Sequence, residues 1–182
     1  PATKELVAGV DTSVRALQDM LDAFFDYSRL DAQITQVGLQ TFPIQNVFDQ
    51  LQHSFASMAA EKGLRLRIRR SSVWVHSDPV LLHRVLLNLV SNAVMFTEQG
   101  AIRIGAEATP RVDGQVQVRF FVADTGPGIP DEIRERMFYP LVSGREGGSG
   151  LGLTIAQNFV QHHHGTIDCA SRAGETVFTL RL

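Results

Sequence analysis

Residues 79–97 read PVLLHRVLLNLVSNAVMFT, and the reading of this run decides the fold. Ser77 or Asp78 offers an N-cap and Pro79 fits the first turn, so the spacing predicts a helix from Asp78 to about Glu98, closed by Gly100. At about 100° per residue, Leu82, Leu86, Leu89 and Ala93 form an apolar stripe, while Leu81, Arg84, Asn88, Asn92 and Met95 fall on a separate narrow arc. The stripe must pack against another layer. The arc, with two carboxamides one turn apart, either faces a polar ligand or is merely solvated.

Working outward, strands are expected at Ala101–Ala108 and Val116–Asp124, joined by a turn at Pro110–Gly114. The Pro- and Gly-rich stretch Thr125–Gly150 holds only a brief helix near Asp131–Met137. A helix over Leu151–His163 and strands over Thr166–Ser171 and Thr176–Leu182 close the chain. Upstream, Leu64, Leu66 and Ile68 alternate with arginines, Val73–Val75 makes a second short strand, Ile44–Lys62 is an amphipathic helix stopped by Gly63, and Val37–Ile44 is a strand ended by Pro43. Strands meet through hairpins as often as through helices. The expected fold class is therefore α/β, a two-layer sandwich with a mixed sheet packed on about three helices.

Before this unit, Val7, Val10, Val14, Leu17, Leu21 and Phe24 alternate by three and four, the stripe of a bundle helix from about Thr3 to Asp31. No second such helix follows, so its partner lies in another chain or outside this sequence; a core helix of the main unit is the alternative. The division is 1–33 and 34–182. The chain starts at Pro1 and is expected to be cut from a longer protein.

With 44% hydrophobic and 20% charged residues and a net charge of −2, the composition is that of an ordinary globular domain. Only Arg65, Arg67, Arg69 and Arg70 cluster, as one solvated strand face, so no nucleic-acid partner is expected. No apolar run is read as approaching the ~18–20 residues of a membrane span, and Cys169 alone cannot form an internal disulfide. A cytoplasmic location without membrane contact is expected, even if the parent protein is anchored.

Chemistry concentrates in three places. Carboxamide oxygens such as those of Asn88 and Asn92 suit a hard cation that keeps several waters. The strand 121–124 ends in Asp124 followed by Thr125-Gly126-Pro127-Gly128-Ile129: a carboxylate there accepts a hydrogen bond from an exocyclic amine, or the motif is only a turn. Gly147-Gly148-Ser149-Gly150-Leu151-Gly152-Leu153 opens directly into a helix, where free N–H groups bind phosphate. Seven of the 15 glycines lie between Gly126 and Gly152, so backbone access is local to this segment.

In this order and spacing, the three segments resemble the nucleotide-binding boxes of the GHKL superfamily and, within it, the sensor histidine kinases. Asn88–Thr97 resembles the asparagine box, Asp124–Gly128 the first glycine box, the region of Phe138 the phenylalanine box, and Gly148–Leu153 the second glycine box. Gly174–Phe178 is similar to the closing strand, Phe25–Asp31 to the end of the second dimerisation helix, and Phe138–Gly148 to the lid of the nitrogen-regulator branch. The likeness spans essentially the whole chain.

The resemblance implies ATP and Mg²⁺ as cofactors. Asp124 would read the adenine amine, Asn92 would hold Mg²⁺, and Gly148, Gly150 and Gly152 would cradle the phosphates under a mobile lid. Thr176 would support the adenine through water, and Phe96, Gly126, Gly128, Ile129, Arg145, Ser149, Leu151 and Leu153 would complete the nucleotide site. Asn88 is the implied catalytic residue. Hydrolytic relatives such as gyrase carry a glutamate there, whereas an amide is no general base, and a neutral imidazole acceptor needs none. The implied activity is transfer of the γ-phosphoryl of ATP to a histidine outside this chain, relayed to the aspartate of a response-regulator receiver domain, in a homodimer formed through the N-terminal helix. A pseudokinase nucleotide sensor and a hydrolytic ATPase are the alternatives.

Two features depart from the family pattern. Met95 stands where the family often has lysine; Arg145 or Arg84 could supply the charge, or be ordinary solvated arginines. None of the six histidines lies on the heptad helix or precedes an acidic residue as an acceptor does, so self-phosphorylation is not expected. His83 is read as a plain helix residue, His162 and His163 diverge on their helix, and no metal site beyond Mg²⁺ is supported.

Overall fold

In the computed structural model, which describes residues 38–110, 116–144 and 150–182, strands form where apolar and polar residues alternate and helices where an apolar stripe recurs. The strands are β1 (Gln40–Pro43), β2 (Arg65–Ile68), β3 (Trp74–Ser77), β4 (Ala101–Pro110), β5 (Val116–Asp124), β6 (Thr166–Arg172) and β7 (Glu175–Arg181). The helices are α1 (Gln45–Glu61), α2 (Pro79–Phe96), the single turn α3 (Asp131–Arg134) and α4 (Gly152–His162). The heptad segment, the 33/34 boundary and most of the Pro110–Gly114 turn lie outside the described residues.

The main sheet has the order β2-β4-β5-β7-β6, with β2 parallel to β4 and the other pairs antiparallel. This is the expected two-layer sandwich with a mixed sheet. The expectation did not include the separate antiparallel ribbon of β1 and β3. Helices α1, α2 and α4 cover one face of the sheet, burying Ile102, Ile104, Phe120, Val122, Phe178 and Leu180. On the other face Gly105 lies beneath the Phe121 ring, where an added Cβ would stand 2.5 Å from Cζ. Exposed ion pairs cover that face, including Arg69 to Glu107 at 3.0 Å; the arginine run is solvated, with Arg65 and Arg67 on β2 and Arg69 and Arg70 just past its end. Such exposed, solvent-screened pairs contribute little to stability.

Helix α2 buries Leu82, Val85, Leu86, Leu89, Val90, Ala93 and Val94 between α1, α4 and the sheet. Its length and composition do suffice to cross a membrane, which corrects the sequence reading. Its apolar character is accounted for by this packing on several sides. Asp78, not Ser77, is the cap: Oδ1 accepts from Val80 N and Leu81 N at 2.9 and 3.0 Å, and Oδ2 accepts from Gly38 N at 3.0 Å. The helix stops at Phe96, short of Glu98, because Thr97 turns to an extended conformation.

Ser77 is fully buried, and its Oγ donates to His163 Nε2 at 2.9 Å, while His163 Nδ1 donates to Phe159 O at 2.9 Å. A carbonyl only accepts, so the tautomer is set, and burial holds the imidazole below its ordinary pKa. His162 is exposed, so the adjacent histidines diverge as expected. His83 lies on α2, as read, but it is partly buried, its Nε2 is buried with no hydrogen-bond partner, and burial lowers its pKa.

Candidate functional site

Asp124 ends β5 on the helix-facing side of the sheet, and its neighbours across the strands are Thr176 on β7 and then Ser171 on β6. The alternation that places Phe120 and Val122 in the core places Asp124 on the same face. A carboxylate is costly there, and burial raises its pKa above the ordinary value; Gly126 N, donating to Oδ1 at 2.8 Å, and Thr97 Oγ1, donating at a long 3.4 Å, oppose that rise. Thr176 is also buried, with Oγ1 3.1 Å from Ser171 Oγ, and Ser171 Oγ accepts from Ile129 N at 2.8 Å. The row is therefore polar, buried and held in a fixed orientation, with a carboxylate at its head.

The glycines after Asp124 are required by space. A Cβ on Gly126 would sit 2.7 Å from Asp124 Oδ1 and 3.4 Å from Phe96 O. Gly128 has φ +87, and a Cβ there would meet Arg172 O at 2.7 Å. The loop thus folds tightly between the end of α2 and the β6–β7 hairpin, where Gly174 N donates to Gly126 O at 3.0 Å.

The second glycine segment reaches the same helix at an earlier position, Asn88. A Cβ on Gly152 would lie 3.3 Å from Asn88 Cγ, so the entrance of α4 is seated directly on that carboxamide. Gly150 has φ +64, and a Cβ there would be 2.5 Å from Leu141 C, so only glycine fits without strain. Leu151 is buried with Ile155 and Leu81, and Leu153 packs against the main core, so both anchor the entrance. Thr154 Oγ1 donates to Phe138 O at 3.1 Å and ties the entrance to the segment of Phe138.

Along α2, Asn88 therefore meets the α4 entrance and Thr97 meets Asp124. Asn92 stands between them, half-buried, and Phe96, 43% exposed, borders the Asp124 end. Nine residues of helix span about 13 Å, the scale of a nucleoside triphosphate. Met95 is 41% exposed at this end. Arg145, Gly148 and Ser149 lie outside the described residues. Among the described residues no group of His, Cys, Asp and Glu could hold a metal ion, so a cation here would rely on carboxamide oxygen, water and ligand oxygens.

Sequence reasoning missed the roles of Thr97, Ser171 and Thr154. None of the three carried a clear signal: the helix was read through Glu98, which hid Thr97 as its C-cap.

Comparison with known proteins bears on the same residues. The family model "Histidine kinase-, DNA gyrase B-, and HSP90-like ATPase" matches residues 77–182. The sensory histidine kinase/phosphatase NtrB of Vibrio alginolyticus is 41% identical over 113 residues, 58% of this chain and 32% of that protein. The signal transduction histidine-protein kinase BarA of Escherichia coli (strain K12) is 32% identical over 181 residues, 94% of this chain and 20% of that protein. The chain thus spans a third or less of the curated relatives it matches. Among solved structures, full-length ShkA in complex with AMPPNP superposes with a TM-score of 0.80 at 27% identity, over 100% of this chain and 38% of that one.

Proposed function

The chain belongs to the histidine kinase-, DNA gyrase B- and HSP90-like ATPase family, and from that premise we propose that it is the ATP-binding catalytic core of a sensor histidine kinase. It transfers the γ-phosphoryl of ATP to a histidine outside this chain, for relay to a response-regulator aspartate. One observation carries the reading: a single helix meets the second glycine segment at Asn88 and, through its C-cap Thr97, the carboxylate row. A ligand lying along α2 would meet an amine acceptor at one end and a glycine-rich helix entrance at the other.

In this reading Asp124 accepts the exocyclic amine of adenine, with Thr97 and Gly126 holding its orientation and Thr176 and Ser171 presenting hydroxyls to a bridging water. Gly126, Gly128 and Ile129 shape the adenine side, and Phe96 borders it. Gly150 and Gly152 admit the phosphates to the N–H groups at the α4 entrance, with Gly148, Ser149 and Arg145 completing the cradle and Leu151 and Leu153 anchoring it. Asn92 contributes carboxamide oxygen to Mg²⁺, and its neutral donor chemistry fits an ion held chiefly by phosphate and water. When bound, that ion offsets phosphate charge. Asn88 positions the reacting phosphoryl group; as an amide it cannot activate water, which favours transfer over hydrolysis.

Residues 1–33 belong to the dimerisation helix of the parent homodimer and 34–182 to the catalytic unit, which works in the cytoplasm. The exposed Met95, in place of a cation, favours a second reading as a nucleotide sensor without transfer. Calorimetry tests the first reading: Mg²⁺-dependent ATP binding is expected in the native chain and lost in Asp124→Ala, and equal affinity would overturn it. Adding an acceptor-helix fragment with labelled ATP separates kinase from sensor. Label on the fragment's histidine is expected, with none on this chain alone.

A further inference from the structure

Helix α2 ends without a cation of its own. Its last turn holds no basic residue, Ala93 O is taken by Thr97 N at 3.1 Å, and the next carbonyls have no partner inside the helix. Lys62 meets two of them: Nζ donates to Val94 O at 2.7 Å and to Met95 O at 3.0 Å. It stands there because it is the C-cap of α1 and Gly63, at φ +67, turns the chain at once toward β2. Leu64 N closes that turn on Ala59 O at 2.8 Å, and Arg65 N then binds Gly100 O at 2.9 Å, beside the exit of α2. A cation at a helix C-terminus also meets the favourable end of the helix dipole. Directly after these carbonyls come Phe96, whose O faces Gly126, and Thr97, whose hydroxyl faces Asp124.

We propose that Lys62 is a positioning residue for the nucleotide site: its ammonium holds the last turn of α2 and so sets where Phe96 and Thr97 stand against Gly126 and Asp124. The proposal rests on the nucleotide-binding reading above. Lys62 acts through backbone carbonyls, so its removal harms the adenine end and leaves the phosphate end intact.

The test compares the whole native chain with Lys62→Met for Mg²⁺-free AMP and for Mg²⁺-loaded ADP and ATP by calorimetry. Affinity should fall about 5- to 10-fold by one common factor for all three. Thr97→Val should cost much less in the Lys62→Met background than in the native one, because contacting groups in one network are not additive. Rescue supplies the third readout. In Lys62→Cys, the introduced thiolate displaces bromide from 2-bromoethylamine, forming a thioether that ends in an ammonium at lysine's length. Affinity should return toward the native value, while Cys169, half-buried with its thiol pKa pushed up to about 11, stays protonated and unmodified. If Lys62→Met does not fold, Lys62→Cys before and after alkylation carries the same comparison. Native affinity in the variants, or full additivity with Thr97→Val, would overturn the role of Lys62. A native chain that binds no adenine nucleotide would instead strike the parent reading.

Discussion

Asp124 is a carboxylate that the fold tolerates at a cost. Its raised pKa means the folded state binds that proton more tightly than the unfolded chain, so Asp124 favours folding at low pH and the contribution is lost as pH rises through the folded pKa. An amine donor binds the ionised form more strongly than the neutral acid. Nucleotide affinity should therefore weaken as pH falls through a window lying above the ordinary aspartate value of 3.8, and binding there should release a proton. Calorimetry in two buffers of different ionisation enthalpy measures that release; a pH-independent affinity down to the ordinary value would contradict it. Asp124→Asn keeps an acceptor for Gly126 N and removes the buried charge. It should lose at least about tenfold in nucleotide affinity, as expected for a charged hydrogen bond, yet melt no lower than the native chain at pH 7.

At the scale of elements, the two ends of α4 are held by different devices. Its entrance depends on glycines that differ in their constraint: at Gly150 a Cβ would strike backbone at 2.5 Å with φ +64, while at Gly152 it would meet the Asn88 side chain at 3.3 Å. Gly150→Ala should cost about 1–3 kcal/mol by urea unfolding, and Gly152→Ala less, because a side chain can yield where backbone cannot. Equal losses would contradict the geometry. Its other end is fixed by His163 between Ser77 and Phe159. A depressed histidine pKa stabilises the fold above the unfolded value of 6.5 and loses that contribution as pH falls through the folded pKa. The urea midpoint should drop below pH 6.5, and drop less in His163→Gln.

The same scale explains what the sequence made legible. Period-2 alternation and the heptad-like stripe of α2 specify β5, α2 and the sandwich, because burial of one face is a property each segment carries alone. The start of α2 and the glycine segments were readable for the same local reason, although the choice between Ser77 and Asp78 as the cap was not. The polar supports of the site were not. Thr97 meets Asp124 across 27 residues, Lys62 meets Val94 across 32 and Ser171 meets Ile129 across 42, contacts created by tertiary packing. Both strands of the β1–β3 ribbon were read, but their pairing apart from the main sheet was not, because it joins segments more than 30 residues apart through tertiary packing; the end of α2 was overrun because Glu98 and Gln99 suit a helix as well as a loop.

At the scale of the whole molecule, α2 is the spine of the site, with α1 behind it through Lys62, the sheet below it through Asp124, and α4 seated on Asn88. A ligand bound across these elements ties them together only in the folded state. At 100 times its dissociation constant it should add about 2.7 kcal/mol of stability and raise the melting temperature. Amide nuclear magnetic resonance of the chain titrated with Mg²⁺ and AMPPNP shows whether one nucleotide spans the site. Saturable shifts with one common affinity are expected at Asn88 and Gly152 and also at Thr97 and Gly126. Shifts confined to one of those pairs, or two different affinities, would show that no single nucleotide bridges them.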